Sequence, residues 1–377
     1  MSNKLLSFLA GVLVFGTITS VSVFAQGVTT ANLSGRVIGS DNNPLEGATI
    51  IATHVPSGSR YGAIASDGGE FRLVNMRVGG PYLVVAKFIG YEESRYENVS
   101  LTLGQTRRLV FQLSSTVITL EEVEITSSTS DVFDGNKTGQ GTVVSEEEIK
   151  SLPTLTRSIA DFARVNPLVN VTEDADGFAF NIAGQNNRYN SIYIDGSINN
   201  DQFGLADNGT DGGQTGAGPI SLDAIEQLQV SVAPFDVRLS GFAGGAINVI
   251  TRSGTNKVDA SAYYLIRNQD LAGQTPSLEN EAERESLPDF TSETFGFRVG
   301  GPIIKDKLLF FIAAEARRDE IPEPFDFLAY NGVSTQADLQ ALRDKLNGFG
   351  YDPGTFTDNA TTLEQDQFLV KLDWNIN

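Results

Sequence analysis

Cysteine is absent from the 377 residues, and histidine occurs once, at His54. Without a thiol there is no disulfide scaffold, no Cys-ligated zinc, no iron–sulfur cluster, no thiol nucleophile and no lipid anchor through an N-terminal cysteine. One imidazole likewise excludes any site that needs two. Methionine (2) and tryptophan (1) are nearly as scarce. Cations are outnumbered, with 27 Lys and Arg against 47 Asp and Glu, a formal charge of −20. A carboxylate excess of this size repels phosphate backbones and disfavours nucleic acid as a partner. Long apolar runs are missing too: beyond residue 26 the longest is Leu308 to Ala314, against the roughly 20 residues a spanning helix needs. Glycine (38), phenylalanine (23) and tyrosine (10) are abundant, a composition that leans towards strands and turns. At roughly 100–200 residues per domain the length suggests two or three domains.

Residues 1–25 have the layout of a secretory signal peptide, with Lys4 at the start, an apolar stretch from Leu5 and small residues before a cleavage after Ala25. A protein exported without helical spans is periplasmic, extracellular or an outer-membrane barrel. Residues 27–115 alternate short β-rich runs with turn clusters at Asp41-Asn42-Asn43-Pro44, Pro56-Ser57-Gly58, Asp67-Gly68-Gly69 and Gly79-Gly80-Pro81. Such punctuation predicts a β-sandwich. The segment resembles the carboxypeptidase regulatory-like domain through Gly35-Arg36-Val37, Pro44-Leu45-x-Gly47-Ala48, Ser66-Asp67-x-Gly69-x-Phe71 and Gly80-x-Tyr82…Gly90-Tyr91. That resemblance implies an Ig-like or transthyretin-like module without catalytic residues. His54 has no ligand partner nearby and reads as a strand or turn residue.

Residues 120–127, LEEVEITS, form an isolated β-prone segment able to add itself to a partner's sheet, or to serve as the last strand of the sandwich. Beyond it, Ser145 and Glu148 spell a capping box for a helix that Pro153 ends, and Ile159, Phe162 and Ala163 a helical apolar stripe. FAFNIAG (178–184) and YNSIYIDGS (189–197) alternate as strands. Leu222 to Leu228 is expected as a second short helix leading into the strand QVSVAPFDV. Asn181-Ile182-Ala183-Gly184, Ile194-Asp195-Gly196 and the whole of 221–256 resemble the plug domain of TonB-dependent outer-membrane receptors, in the Oar-like branch where a regulatory-like module precedes the plug. On that resemblance residues 130–256 are the plug, and Glu122, Val123, Glu124, Ile125, Thr126 and Ser127 occupy the place of the TonB box. Glu124 departs from the usual Val.

The last third, 257–377, supplies four segments with period-2 alternation, as membrane barrel strands require. Their apolar faces are Val258, Ala260, Ala262, Tyr264 and Ile266; Phe295, Phe297 and Val299; Phe310, Ile312, Ala314 and Ala316; and Phe368, Val370, Leu372, Trp374 and Ile376. Long intervals (269–290 and 319–365) alternate with a tight turn at 300–307, the barrel's outside–inside asymmetry. Barrels close with about eight strands at least, and with around 22 when they hold a plug. The expected fold class is therefore mainly β: a sandwich, an α/β plug and the first strands of an incomplete barrel, with the reading frame expected to continue past Asn377.

The resemblance implies an outer-membrane location, with sandwich and TonB box in the periplasm, and energised uptake driven by a periplasmic TonB-type protein, with outer-membrane lipid around the strands. It implies no chemistry on the substrate and no cofactor. The Gly-rich segment 199–218 is the candidate apical loop, with Asn199, Asn200, Asp201, Asp207, Asn208, Asp211 and Gln214 facing an unknown extracellular substrate. Acidic residues of the two long intervals, among them Glu279, Asp289, Glu320 and Asp326, form a solvated or cation-attracting rim. No EF-hand register, phosphate-binding GxxxxGK[ST] or GxSxG elbow is present. The competing reading is a secreted β-rich adhesin or polysaccharide-binding protein without transport.

Overall fold

A computed structural model describes residues 28–115, 140–154, 157–174, 177–201, 203–206, 209–210, 218–233, 239–274, 287–322, 330, 332–355 and 359–376. The signal segment and residues 120–127 lie outside the described residues.

Seven strands build the first unit: β1 (Ala31–Gly39), β2 (Thr49–His54), β3 (Arg60–Ile64), β4 (Glu70–Met76), β5 (Gly79–Lys87), β6 (Ser94–Leu101) and β7 (Thr106–Leu113). They form two sheets, β4-β1-β7 and β3-β2-β5-β6. Alternate residues turn inward, so Leu33, Val37, Phe71, Leu73 and Phe111 of one sheet meet Ile50, Tyr82 and Val84 of the other in a single core. At Asp67–Gly69 the reversal needs glycine: Gly69 has φ +76°, and a Cβ there would lie 2.3 Å from the Val37 carbonyl oxygen. The Gly79-Gly80-Pro81 cluster is not a turn, because β5 already starts there.

The second unit contains β8 (Gln140–Ser145), α1 (Glu146–Ser151), α2 (Ile159–Ala163), β9 (Val169–Asp174), β10 (Gly177–Ile182), β11 (Ser191–Ile194), β12 (Ser197–Ile198), β13 (Ile225–Val232) and β14 (Gly245–Thr251). A mixed sheet runs β12-β11-β14-β13-β8, with β9 and β10 as a separate hairpin. The capping box forms in full at Ser145 and Glu148. The expected helix 222–228 does not form. Only Leu222–Ala224 turns, as a 3-10 segment, and β13 begins at Ile225. Leu222, Ile225 and Leu228 fit a helical stripe, but pairing on both edges, with β14 and β8, satisfies the backbone and buries Ile225, Leu228, Val230 and Val232.

The third unit is a meander, β15 (Asp259–Asn268), β16 (Thr291–Ile304), β17 (Leu308–Pro322) and β18 (Ala360–Trp374), paired in order and antiparallel. β16 extends to Ile304, so the turn expected over 300–307 narrows to 305–307. The interval 319–365 is shortened by the ends of β17 and β18 and holds a helix, α3 (Gln336–Gly348), capped by Thr335 and Asp338. The four strands form an open sheet among the described residues, with β15 and β18 as its edges.

Candidate functional site

The meander has two chemically different faces. On one, Phe368 is 72% and Trp374 70% exposed; on the other, Leu309 and Phe311 are buried at 0% and 3%. Register carries the exposed face across all four strands, Ala260–Val299–Ile312–Val370 in one rung and Ala262–Phe297–Ala314–Phe368 in the next. From the Leu308–Trp374 rung to the Ala316–Phe295–Tyr264 rung, five rungs span roughly 27 Å along the strand, or about 20 Å of depth at a barrel's tilt. The band ends in charge: Asp366, the β18 member of that last rung, pairs with Arg318 of the next at 2.7 Å, and the Tyr264 hydroxyl donates to Glu293, also of the next rung, at 2.7 Å. An apolar band ending in such a rim matches a lipid core and its interface.

The opposite face meets the second unit almost wholly through polar groups. At one end Gln365 and Gln367 donate to the Gly218 carbonyl at 2.8 and 2.6 Å. Midway, the Ser221 hydroxyl donates to Glu315 at 2.9 Å, and the Tyr263 hydroxyl donates to the same carboxylate. Arg157 pairs with Asp223 at 2.6 Å and stacks over the Tyr263 ring at 4.4 Å; Arg298 reaches the same Asp223 at 3.9 Å while pairing within the meander with Asp259 at 2.8 Å. Lower down, the Lys371 ammonium donates to the Thr251 carbonyl and hydroxyl, both at 3.0 Å. The small apolar contact comprises Ala224 against Phe311 and Ala313.

Below this ladder the sandwich is seated by one end. Asn248 donates to the Val28 carbonyl at 2.6 Å, and the Leu103 amide donates to the Gln227 side chain at 2.9 Å, both buried. Arg77 pairs with Asp373 at 2.7 Å, and the Ser59 hydroxyl donates to Asn375 at 2.9 Å. The Asn256 amide donates to the Pro56 carbonyl at 2.7 Å. Ile250 of β14 packs into the sandwich core.

Two cavities, about 150 and 360 Å³, open at this three-way junction, and Arg77 and Glu226 line both. Burial pushes the Glu226 carboxyl up to about 7; Glu146 adds to the rise, while Arg77, Lys371 and Arg252 oppose it. His54, at the end of β2, is buried and shares a 2.6 Å hydrogen bond between Nδ1 and the Ser57 hydroxyl. Burial, aided by the charge of Arg77, pushes its imidazole down to about 3, so it is neutral in the fold. The described residues hold no cluster of His, Asp and Glu suited to a metal ion.

Of the candidate loop residues, Asn199, Asn200 and Asp201 are described, whereas Asp207, Asn208, Asp211 and Gln214 lie outside the described residues, as does the whole segment Glu122 to Ser127. Asn200 is fully engaged: its oxygen accepts from the Ile192 amide and its nitrogen donates to the Ser191 hydroxyl, both at 2.8 Å. Asp201 accepts from the Phe203 and Ala206 amides at 2.9 and 2.6 Å, which holds its carboxyl below the usual range. These two side chains shape the loop from inside. Among the described residues of the loop, the large apolar groups it displays are Phe203 and Leu205, 83% and 67% exposed. Sequence reasoning favoured polar side chains and passed over them; the signal was two large apolar residues inside a Gly- and Asp-rich stretch.

An apolar outer band, a polar inner ladder and a mixed sheet held against that ladder define a plugged membrane-barrel type of receptor. The comparisons agree unit by unit. The carboxypeptidase regulatory-like domain family matches residues 32–114, the TonB-dependent receptor plug domain 134–247 and an outer-membrane β-barrel domain 250–377. The TonB-dependent transporter Oar of Myxococcus xanthus is 25% identical over 328 residues, covering 82% of this chain and 28% of the relative. A probable TonB-dependent siderophore receptor, PirA of Acinetobacter baumannii, is 26% identical over 189 residues, 47% of this chain and 23% of the relative. Its crystal structure aligns at 26% identity over 50% of this chain and 25% of that one, with a TM-score of 0.36. The chain thus spans about a quarter of the length of the curated relatives it matches. The three matches follow one another in the order of regulatory-like module, plug and barrel, so the chain is similar to TonB-dependent receptors, the Oar transporter among them, and its place is the outer membrane. The two curated relatives are a transporter and a probable siderophore receptor.

Proposed function

We propose that the protein takes up an extracellular substrate with energy delivered from the periplasm. Residues 130–256 act as the plug, 257–377 contribute barrel strands, and 27–115 form a periplasmic module. The observation that carries this reading is the polar ladder between the mixed sheet and the inner face of the meander. Exchangeable hydrogen bonds and ion pairs, rather than a fused apolar core, suit a plug that must shift and reseal, since water can replace each polar contact at small net cost. Residues 122–127 are the segment a TonB-type protein grips by strand addition. Substrate is met at the loop 199–218, with Phe203 and Leu205 as its apolar contacts. Gly218 lies against Gln365 and Gln367, at the end of the ladder opposite the sandwich, consistent with an outward-facing loop.

Deleting residues 122–127 from the full-length receptor is expected to abolish its capture by the immobilised periplasmic domain of the host's TonB-type protein, while outer-membrane insertion is unchanged. Equal capture of the deletion variant would remove the segment from its proposed role.

A further inference from the structure

Apart from Arg77, whose ion pair belongs to the seated end, the sandwich's arginines include three gathered on one face. Arg72 of β4 and Arg108 of β7 flank Ser34 of β1 in a single rung of the β4-β1-β7 sheet. Arg36 stands two residues along β1 on the same outward face, in register with Glu70 and Val110. All three arginines are exposed. Arg77, Arg157, Arg252, Arg298, Arg317 and Arg318 each pair with a carboxylate. Among the described residues Arg36, Arg72 and Arg108 do not, and Arg36 only donates to the Gly68 carbonyl at 2.6 Å. Glu70 is the one carboxylate of this face, so three arginines less one glutamate leave +2, in a chain of −20. The face lines a shallow groove of about 610 Å³ with Ile64 and Val110 as apolar walls, 71% and 50% exposed. Among the described residues, the hydrogen bonds and ion pair that seat the sandwich lie at its other end, at Val28, the 56–59 turn, Arg77 and Leu103.

We propose that this face binds an acidic, extended peptide segment of a partner protein; that the partner is periplasmic rests on the reading of the sandwich given above. The spacing fits such a ligand. Arg72 and Arg108, two strands apart, have Cα atoms about 10 Å apart, and Arg36 stands about 7 Å along the sheet; an extended chain advances about 7 Å every two residues and 10 Å every three. Guanidinium forks take carboxylates in bidentate pairs, and Ile64 and Val110 cover the side chains between them. A membrane surface is a poorer fit, since lipid-binding patches gather about four to eight cations, and here three share their face with Glu70.

The test uses the full-length receptor in detergent and a fluorescein-labelled Glu-Val repeat peptide, read by anisotropy. Binding is expected, weakening as salt rises, and the triple variant R36Q/R72Q/R108Q is expected to bind at least tenfold more weakly. R60Q/R95Q, on the opposite sheet, is expected to bind as the parent does. No binding by the parent at about 1 mM, or equal binding by parent and triple variant, overturns the proposal. So does loss in the triple variant of binding to phosphatidylglycerol vesicles but not to peptide, which assigns the face to a membrane. None of these readouts needs uptake or residues 122–127, so failure here is separate from failure of the transport reading.

Discussion

Single side chains at the three-way junction carry a pH signature. Glu226 titrates at about 7 in the fold, against an ordinary value of 4.5. A raised acid is held protonated by the fold, so its contribution is fully present below about pH 4.5 and is lost as pH rises through 7. The loss is on the order of 3 kcal/mol at most. Glu226→Gln keeps the neutral form and is expected to be more stable than the parent at pH 8 and nearly equal at pH 4.5, in urea titrations of the full-length receptor. An unchanged difference across that range would mean that the carboxyl is hydrated. His54 acts with the opposite sign. Its imidazole is depressed from 6.5 to about 3, so the stability tied to it is complete above pH 6.5 and falls as the unfolded chain takes up the proton below. His54→Phe should flatten that acid limb, at the expense of the Ser57 hydrogen bond. Neither group was legible as special beforehand. His54 drew notice only for its rarity, and Glu226 sits in an ordinary alternating stretch whose neighbours Arg77 and Lys371 are about 150 residues away on either side.

Individual elements obey the rule of the solvent they face. The strands β15 to β18 were readable because lipid on one side and a wet lumen on the other impose a strict period of two, and a slip of one residue would invert both faces. Depth then sets the cost of a charge. Val370→Arg, in the middle of the apolar band, is expected to cost about 2–4 kcal/mol of folding stability in lipid, whereas Thr362→Arg, on the same face beyond the charged rung, should cost about 0–1 kcal/mol. Equal costs in bilayer refolding titrations would contradict the assignment of the lipid face. β13 was misread for a physical reason. Leu222, Ile225 and Leu228 are spaced for a helix, and a register shift between Ile225 and Gln227 interrupts the strand alternation, which is regular only from Leu228 on. α3 went unread because it is a mostly exposed helix without a buried stripe; only its Thr335 and Asp338 cap marks it.

For the molecule as a whole, the sandwich is joined to the barrel strands by few but specific bonds, of which Arg77 with Asp373 is the most enclosed ion pair, with side chains 19% and 18% exposed. The second oxygen of Asp373 is buried without a partner, so removing the cation leaves a charge with no compensation. Arg77→Ala is expected to weaken docking by about 2–4 kcal/mol. That weakening should appear as amide exchange at Leu103 faster by roughly 30-fold or more, and unchanged exchange would show that the ion pair does not seat the sandwich. Sequence by itself determined the mainly β class, the order of units and which face of each barrel strand is apolar, because turn residues and period-two patterning act within a few residues of chain. Tertiary structure alone decided which groups meet: Glu315 with Ser221, Gln365 and Gln367 with Gly218, Asp373 with Arg77, and the three arginines that strand register brings onto one face. Those partners lie up to about 300 residues apart, and only the closing of sheets and the docking of units brings their charges and hydrogen-bonding groups within reach.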